Sequence, residues 1–176
     1  AVVTLSIHRE GEVREGWSPE DTCARLEQAG ADVVGLNCIR GPRTMLPLIA
    51  RIRDAVDCHV AALPVPYRTT EAEPSFQSLT DPDCDCLPTD RPFPTALDPF
   101  TCNRYELGQF GREAYDLGVR YLGVCCGAGP HHIRSLAEAL GRETPASRFS
   151  PDMTRHAFLG TNTQLRSHNQ AYAGDL

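Results

Sequence analysis

The stretch RYELGQFGREAYDLGVRYLGVCC, residues 104–126, joins a helical pattern to a strand pattern at a single glycine. Residues 104–118 are predicted to be helical, and the apolar run at 119–126 is typical of a buried strand. Pro130 then begins another helical pattern, which stops at Gly141. A helix, a continuous apolar strand and a second helix in this order predict one unit of a parallel sheet.

The same alternation is present upstream, where two more helix starts follow apolar runs. Ser18 has the properties of a helix N-cap, because Pro19 follows it at the first helical position and acidic residues complete the first turn. A second helix begins at Pro42. The chain is therefore predicted to contain four β-α units, with strands buried on both faces of a parallel sheet. The three upstream strands are predicted at residues 2–7, 31–38 and 58–65.

Two segments lie outside this alternation. Residues 66–100 are rich in Pro, Asp and Thr and predict a long loop after the third strand. Residues 142–176 are polar with little periodicity and predict a tail or arm. The predicted organisation is therefore one α/β domain at 1–141 followed by this tail.

The composition argues against several classes of partner. The net charge is −6, and the 17 basic residues are all Arg and are scattered, which predicts no nucleic-acid surface. No apolar run reaches the roughly 18 residues needed to cross a bilayer, and the first residues lack a signal peptide's basic region. The eight cysteines are expected to be reduced thiols, so the sequence predicts a cytoplasmic protein that acts on small molecules.

Three cysteines follow strands of the predicted sheet. Cys38 ends the second strand, and the adjacent Cys125 and Cys126 end the fourth. Because the carboxyl ends of parallel strands share one rim, the three thiols are expected to lie together. Three thiolates with one open position would suit a catalytic zinc ion, whereas the alternative is three buried strand-end cysteines. Neighbours on a strand face opposite ways, so a shared ion requires the chain to leave β geometry, which Gly127 permits.

Three other residues near this rim are candidates for substrate contact. Asn37 precedes Cys38 and is predicted either to form strand-end hydrogen bonds or to contact substrate. Tyr67 follows the third strand, where its ring would either pack or hold a quaternary ammonium group by cation–π attraction. Trp17, in the loop after the first strand, is a weaker candidate for the same role.

The remaining histidines and cysteines of interest are given structural roles. His131 and His132 lie in the first turn of the last helix, where packing or capping is favoured over metal ligation. Cys58 and Cys102 are predicted to be core or helix positions. A second pair, in the 66–100 loop, could bind a metal or oxidise, but mobile surface thiols are favoured there: Cys84 and Cys86.

Three motifs together resemble the homocysteine S-methyltransferase family. They are GLNC at 35–38, PFPTALDP at 92–99 and REAYDLGVRYLGVCCGAGPHHIRSLAEAL at 112–140. The resemblance extends from residue 1 to about 141 and is weakest in the 66–92 loop. One departure is Gly123-Val124, where the family has two glycines before the cysteine pair.

The resemblance implies a site and a reaction. Family members bind zinc through the cysteines that correspond here to Cys38, Cys125 and Cys126. The implied reaction moves a methyl group from betaine to the thiolate of homocysteine, giving methionine and dimethylglycine. Two alternatives remain open: another donor, such as S-methylmethionine, or a truncated fragment that binds zinc without catalysis.

The resemblance also implies that the four units form the C-terminal half of a (β/α)8 TIM barrel. Such a barrel takes eight strands and about 250 residues. In the family, the groups that hold the amino acid end of homocysteine and the betaine come mainly from the other half. We therefore expect a fragment of a longer enzyme, which forms a homo-oligomer at full length. Residues 142–176 would correspond to an oligomerisation arm.

Overall fold

Helices and strands alternate through the first of two units in the computed structural model, which describes residues 1–83, 89–158, 160–161 and 167–173. The first unit, Ala1–Thr144, contains β1 (Val2–Leu5), α1 (Pro19–Gln28), β2 (Val33–Asn37), α2 (Pro42–Ala55), β3 (His59–Leu63), α3 (Arg104–Asp116), β4 (Tyr121–Leu122) and α4 (Pro130–Ala139). The second unit, Pro145–Leu176, contains 3-10 turns at Pro145–Phe149 and Met153–Arg155 and the short helix α5 (Ser167–Ala173). Across the described part of the chain, no helix is long and apolar enough to cross a membrane.

The four strands form one parallel sheet in the order β1-β2-β3-β4. Neighbouring strands are consecutive in sequence, and a helix follows each of them. This is the arrangement of successive units in a (β/α)8 barrel. The predicted fold class, an α/β chain that forms part of such a barrel, is confirmed.

The main apolar core lies between the sheet and its helices. Alternate residues of the two central strands, such as Val34 and Leu36 of β2, point into it and are fully buried. The helices contribute side chains that are also almost completely buried: Met45, Ile49, Ile52, Phe110 and Leu136. This layer holds the strands in register and so fixes where their carboxyl ends lie.

The outer strands are shorter and more exposed than predicted. The first strand, predicted at 2–7, ends at Leu5, and the fourth, predicted at 119–126, is only Tyr121–Leu122. Burial on both faces is correct for the centres of β2 and β3 but wrong for β1 and β4. The reason is position, because an edge strand has one neighbour and the local sequence does not reveal which strands are outermost.

The helix ends follow their sequence signals. The Ser18 hydroxyl accepts a hydrogen bond from the Asp21 backbone N–H, which confirms the predicted N-cap. The two glycines inside α3 face α4, where a Cβ at Gly111 would overlap the Leu136 side chain and one at Gly108 would lie 3.2 Å from the Ala139 Cβ. These glycines therefore allow α3 and α4 to approach closely.

The segment between β3 and α3 is the predicted long loop, and its two ends are held together. Tyr67 and Thr101 form an isolated antiparallel bridge, and the N–H of Cys102 donates to the Pro66 carbonyl at 2.8 Å. Nearer the start of α2, the hydroxyls of Thr44 and Thr69 lie 2.7 Å apart in a buried hydrogen-bonded pair. The described part of the loop is thus fixed against the sheet end that carries the thiols.

Candidate metal centre

Cys38 lies one residue beyond β2, where the chain turns sharply. Its N–H donates to the Leu63 carbonyl at 2.9 Å and so continues the pairing with β3. Cys38 and Ile39 then both adopt left-handed backbone angles, with φ of +59° and +62°. This conformation is rare for a non-glycine residue and rarer still for a β-branched one such as Ile39, so the packing around the turn must hold it.

Cys125 and Cys126 follow β4 outside the strand, and Cys126 lies in a turn. The Cys125 N–H donates to the Pro64 carbonyl at 2.8 Å, and the Cys125 carbonyl accepts from Ala128 at 3.1 Å. Gly127 has a φ of +87°, which a glycine adopts without strain. The chain therefore leaves β geometry here, as a shared ion would require, and neighbouring side chains are free to turn the same way.

The three sulfurs form one cluster. The Cys126 Sγ lies 3.6 Å from the Cys38 Sγ and 3.8 Å from the Cys125 Sγ, and all three lie within 4.8 Å of one another. Zn–S bonds of about 2.3 Å in a tetrahedral arrangement place ligand sulfurs about 3.8 Å apart. The thiols are free rather than disulfide-bonded, and their spacing fits a zinc ion with three sulfur ligands.

The Cys38 thiol needs a positive charge nearby to ionise at neutral pH. Burial raises the pKa of Cys38 to about 12, and contacts with the Cys125 and Cys126 thiols act in the same direction. At neutral pH the Cys38 sulfur is therefore protonated unless a cation compensates its charge. A soft divalent metal ion provides that charge, and thiolate ligands favour zinc among the common ones.

Tyr67 lies beside this cluster, as its sequence position predicted. Its hydroxyl contacts Gly127 so closely that a Cβ at that glycine would overlap it. The Tyr67 ring stacks on Phe76, with ring centroids 5.7 Å apart and planes 4° from parallel. Burial raises the pKa of Tyr67, with smaller contributions from Asp98 and Cys126, so the phenol stays neutral. Phe76 occupies one ring face, which leaves at most the other for a cationic ligand.

Comparison with known proteins matches the sequence of this chain to one family. The model of the homocysteine S-methyltransferase family matches residues 1–140. The chain belongs to the homocysteine S-methyltransferase family. Betaine–homocysteine S-methyltransferase 1 of Danio rerio is 36% identical over 175 residues, with 93% of this chain and 39% of the relative covered.

Two rat relatives also match this chain, and their names contain different methyl donors. Betaine–homocysteine S-methyltransferase 1 of Rattus norvegicus is 39% identical over 169 residues, with 93% of this chain and 38% of the relative covered. The S-methylmethionine–homocysteine S-methyltransferase of Rattus norvegicus is 33% identical over 171 residues, with 94% and 43% covered. The present chain thus spans about 40% of the length of these relatives.

The other residues that the sequence analysis singled out form no described hydrogen bond with the three clustered thiols. The Asn37 carbonyl accepts from the Ser6 hydroxyl at 3.2 Å, which is a strand-end contact. The Trp17 ring is partly exposed, with the Arg25 guanidinium 4.1 Å from its centroid, so that arginine already occupies one of its faces. Cys102 is buried and Cys58 half-buried. Cys84 and Cys86 lie outside the described residues.

His132 caps the helix that follows the cysteine pair, which confirms the predicted structural role. Its Nδ1 accepts from the Gly129 N–H at 3.0 Å, and its Nε2 lies 3.1 Å from the Cys102 carbonyl oxygen. These partners require the neutral tautomer that carries its proton on Nε2. Burial lowers the pKa of His132, in agreement with that neutral form. His131 is exposed and lies against the His132 ring.

Replacement of His132 by Leu is expected to destabilise the fold by about 1–3 kcal/mol at pH 7.5, because the part-buried Gly129 N–H and the buried Cys102 carbonyl lose their partner. Since the folded pKa is lowered, the unfolded state binds the proton first as pH falls below about 6.5. The His132 contribution is therefore full above that pH and decreases as the pH falls below it. Urea unfolding at several pH values, with His131→Leu as the control, measures the difference. Equal losses in the two variants would contradict the capping role.

Sequence reasoning missed the residues that shape the turn after Cys38. The buried Arg40 donates from Nε to the Ile7 carbonyl at 3.1 Å and from a terminal nitrogen to the His8 carbonyl at 2.5 Å. Ile39 is also buried, and its carbonyl accepts from Phe76 at 2.9 Å. No local pattern predicts these contacts, since they join segments about 30 residues or more apart. The one usable signal was Gly127, directly after the cysteine pair.

Proposed function

We propose that this chain contributes the zinc site of a methyltransferase that moves a methyl group from betaine to homocysteine. The observation that supports it most directly is the cluster of Cys38, Cys125 and Cys126 sulfurs at zinc-ligand spacing. The relatives' names, which contain homocysteine and either betaine or S-methylmethionine, support these substrate classes. Because the chain spans only about 39% of the Danio rerio relative, the activity is proposed for the whole protein of which these units form part.

The three cysteines would hold the ion, and zinc when bound would supply the charge that keeps a thiol substrate deprotonated at neutral pH. Three thiolates outweigh the charge of one divalent ion, so the site as a whole is negative. A negative site favours an electron-rich substrate sulfur and a donor that carries positive charge. Cys126 is exposed whereas Cys38 and Cys125 are half-buried, so substrate is expected to approach beside Cys126.

The proposed reaction is a direct transfer between two small molecules. The homocysteine sulfur, having lost its proton to solvent, forms the new S–C bond with a methyl carbon of betaine. The C–N bond breaks, and its electron pair stays on the nitrogen of dimethylglycine. The quaternary charge of the donor is thereby neutralised, so no side chain of this chain is required to transfer a proton during that step.

S-methylmethionine is the second candidate donor, because the 33%-identical rat relative is named for the use of that donor. Its sulfonium carries the same positive charge beside a methyl group, so the site's net charge does not separate the two donors. A third possibility is that these units bind zinc without catalysis on their own. The partial coverage of the relatives supports that alternative.

Zinc content and methionine formation test the proposal together. The purified chain is expected to bind one zinc per molecule, measured by plasma emission spectroscopy, and the longer protein that contains it is expected to form methionine from homocysteine with betaine. Methionine formed only with S-methylmethionine would select the second donor. Bound zinc without turnover by that longer protein would contradict the proposed reaction and leave the non-catalytic alternative. A chain that binds no zinc would contradict the proposed site itself.

We also propose the cytoplasm as the compartment. The six cysteines in the described residues are free thiols, which supports a reducing environment.

A further inference from the structure

One side of the thiol cluster is held through Ile39. The side chain of Ile39 is buried in a second apolar cluster, which we call the loop cluster, and its carbonyl accepts the Phe76 N–H at 2.9 Å. Cys38 packs against the same cluster. Phe76 therefore contacts the residue whose left-handed backbone, with φ of +62°, sets the direction of the turn at Cys38. The loop cluster consists of Ile39, Val65, Phe76, Leu79 and Leu97.

The other side of the thiol cluster is held through Gly127. The Tyr67 hydroxyl fills the space in which a Cβ at Gly127 would lie. Gly127 directly follows Cys126 and has a φ of +87°, so the hydroxyl rests on the turn that aims the exposed thiol. The Tyr67 ring in turn stacks face to face on Phe76. The two aromatic rings thus connect the turn after β2 with the turn after β4.

Both rings are also held by contacts outside the stack. The backbone of Tyr67 is bridged to Thr101, and its neighbour Arg68 pairs with Glu106 of α3 through two nitrogens at 2.8 and 2.7 Å. Phe76 has the Phe93 ring against it edge to face, with centroids 5.2 Å apart. Because both rings are held by these contacts, the stack keeps the two turns at a fixed separation and does not move with either of them.

We propose that the Tyr67–Phe76 stack, here called the aromatic brace, fixes the distance between the Cys38 and Cys126 sulfurs and thereby sets the zinc affinity of the site. This inference rests on the proposed zinc site. The two residues act as positioning residues, since neither offers an atom to the ion in this argument. Left-handed backbone at two successive non-glycine residues is strained, and it persists only while surrounding packing holds it. Without the brace, the turn at Cys38 relaxes and its sulfur moves away from Cys126.

A double-variant cycle on zinc affinity tests the brace. Tyr67→Leu and Phe76→Leu each remove one ring, and each is expected to weaken zinc binding about 10–100-fold, the range found when the supports of metal ligands are removed. The double variant is expected to bind no more weakly than the weaker single one, because either replacement already breaks the stack. Zinc affinity is measured on the full chain by competition with a chromogenic chelator, and cobalt absorption reports the number of thiolate ligands.

Conservative and matched variants separate positioning from loss of folding. Phe76→Tyr keeps the ring and is expected to keep affinity within about threefold of wild type, whereas Phe100→Leu removes a ring that packs on the loop cluster outside the stack. Circular dichroism confirms folding of each variant. Single replacements that leave zinc affinity within twofold, additive losses, or an equal loss in Phe100→Leu would overturn the brace alone. A wild-type chain that binds no zinc would overturn the proposed function and the brace with it.

Discussion

Replacement of Cys126 by Ser is expected to lower the zinc affinity of the chain by about 10²–10³-fold. A zinc ion held by four ligands gains about 10–16 kcal/mol, so one ligand accounts for about 3–4 kcal/mol. Cys126 lies between the other two sulfurs, at 3.6 and 3.8 Å, so its loss removes the thiolate shared by both close pairs. The same loss is expected for Cys38→Ser and Cys125→Ser. Chelator competition on the purified variants measures it.

Cys58→Ser is the matched control for these replacements. Cys58 is half-buried, as Cys38 and Cys125 are, but it packs on the main core rather than at the thiol cluster. Its replacement is expected to leave zinc affinity within about twofold of wild type. If Cys58→Ser and Cys126→Ser weakened binding equally, the ion would not be held where the three sulfurs meet.

Replacement of Gly35 by Ala is expected to destabilise the fold by at least about 4 kcal/mol, a size reserved for disrupted backbone or core packing. Gly35 pairs with Ala61 across β2 and β3, and a Cβ at Gly35 would overlap the Ala61 carbonyl oxygen. Its φ of +156° is also rare for a residue with a side chain. To relieve the overlap the two central strands must separate, which also displaces Cys38 from the cluster. Urea unfolding measures the loss.

Gly141→Ala separates the two causes. Gly141 also has a positive φ, at +72°, but a Cβ there meets no atom within 4 Å. Its replacement is expected to cost only about 1–2 kcal/mol, the strain of a left-handed residue alone. Similar losses for Gly35→Ala and Gly141→Ala would show that backbone angle, not the contact between β2 and β3, limits residue 35.

The parallel sheet was predictable because its signal is local. Apolar runs such as 31–38 and 58–65 alternate with amphipathic stretches whose ends carry Pro and Gly, and each signal lies within one element. The extent of the edge strands was not predictable, because it depends on how many neighbours a strand has. The run at 119–126 is as long as those two runs, yet only Tyr121–Leu122 pair with β3.

The candidate site divides in the same way. Its three thiols could be placed at one rim because the carboxyl ends of parallel strands meet there. Its supports could not, because the turn at Ile39 opposes the local preference of a β-branched residue and depends on Phe76, 37 positions later. Gly127 was interpreted as freedom for the backbone. The structure adds that its missing side chain makes room for Tyr67.

The bridge between Tyr67 and Thr101 closes the intervening chain into a loop. The distance between the two ends of this loop is therefore set by the bridge and not by the number of residues in between. Lengthening such a loop costs only about 0.6 kcal/mol for each doubling, because the entropy cost of loop closure grows with the logarithm of the loop length. A fluorescent label inserted between the exposed residues Pro82 and Asp83 is expected to leave the packed residues Leu79 and Leu97 in place. The loop is therefore expected to carry foreign sequence at this position without altering the sheet.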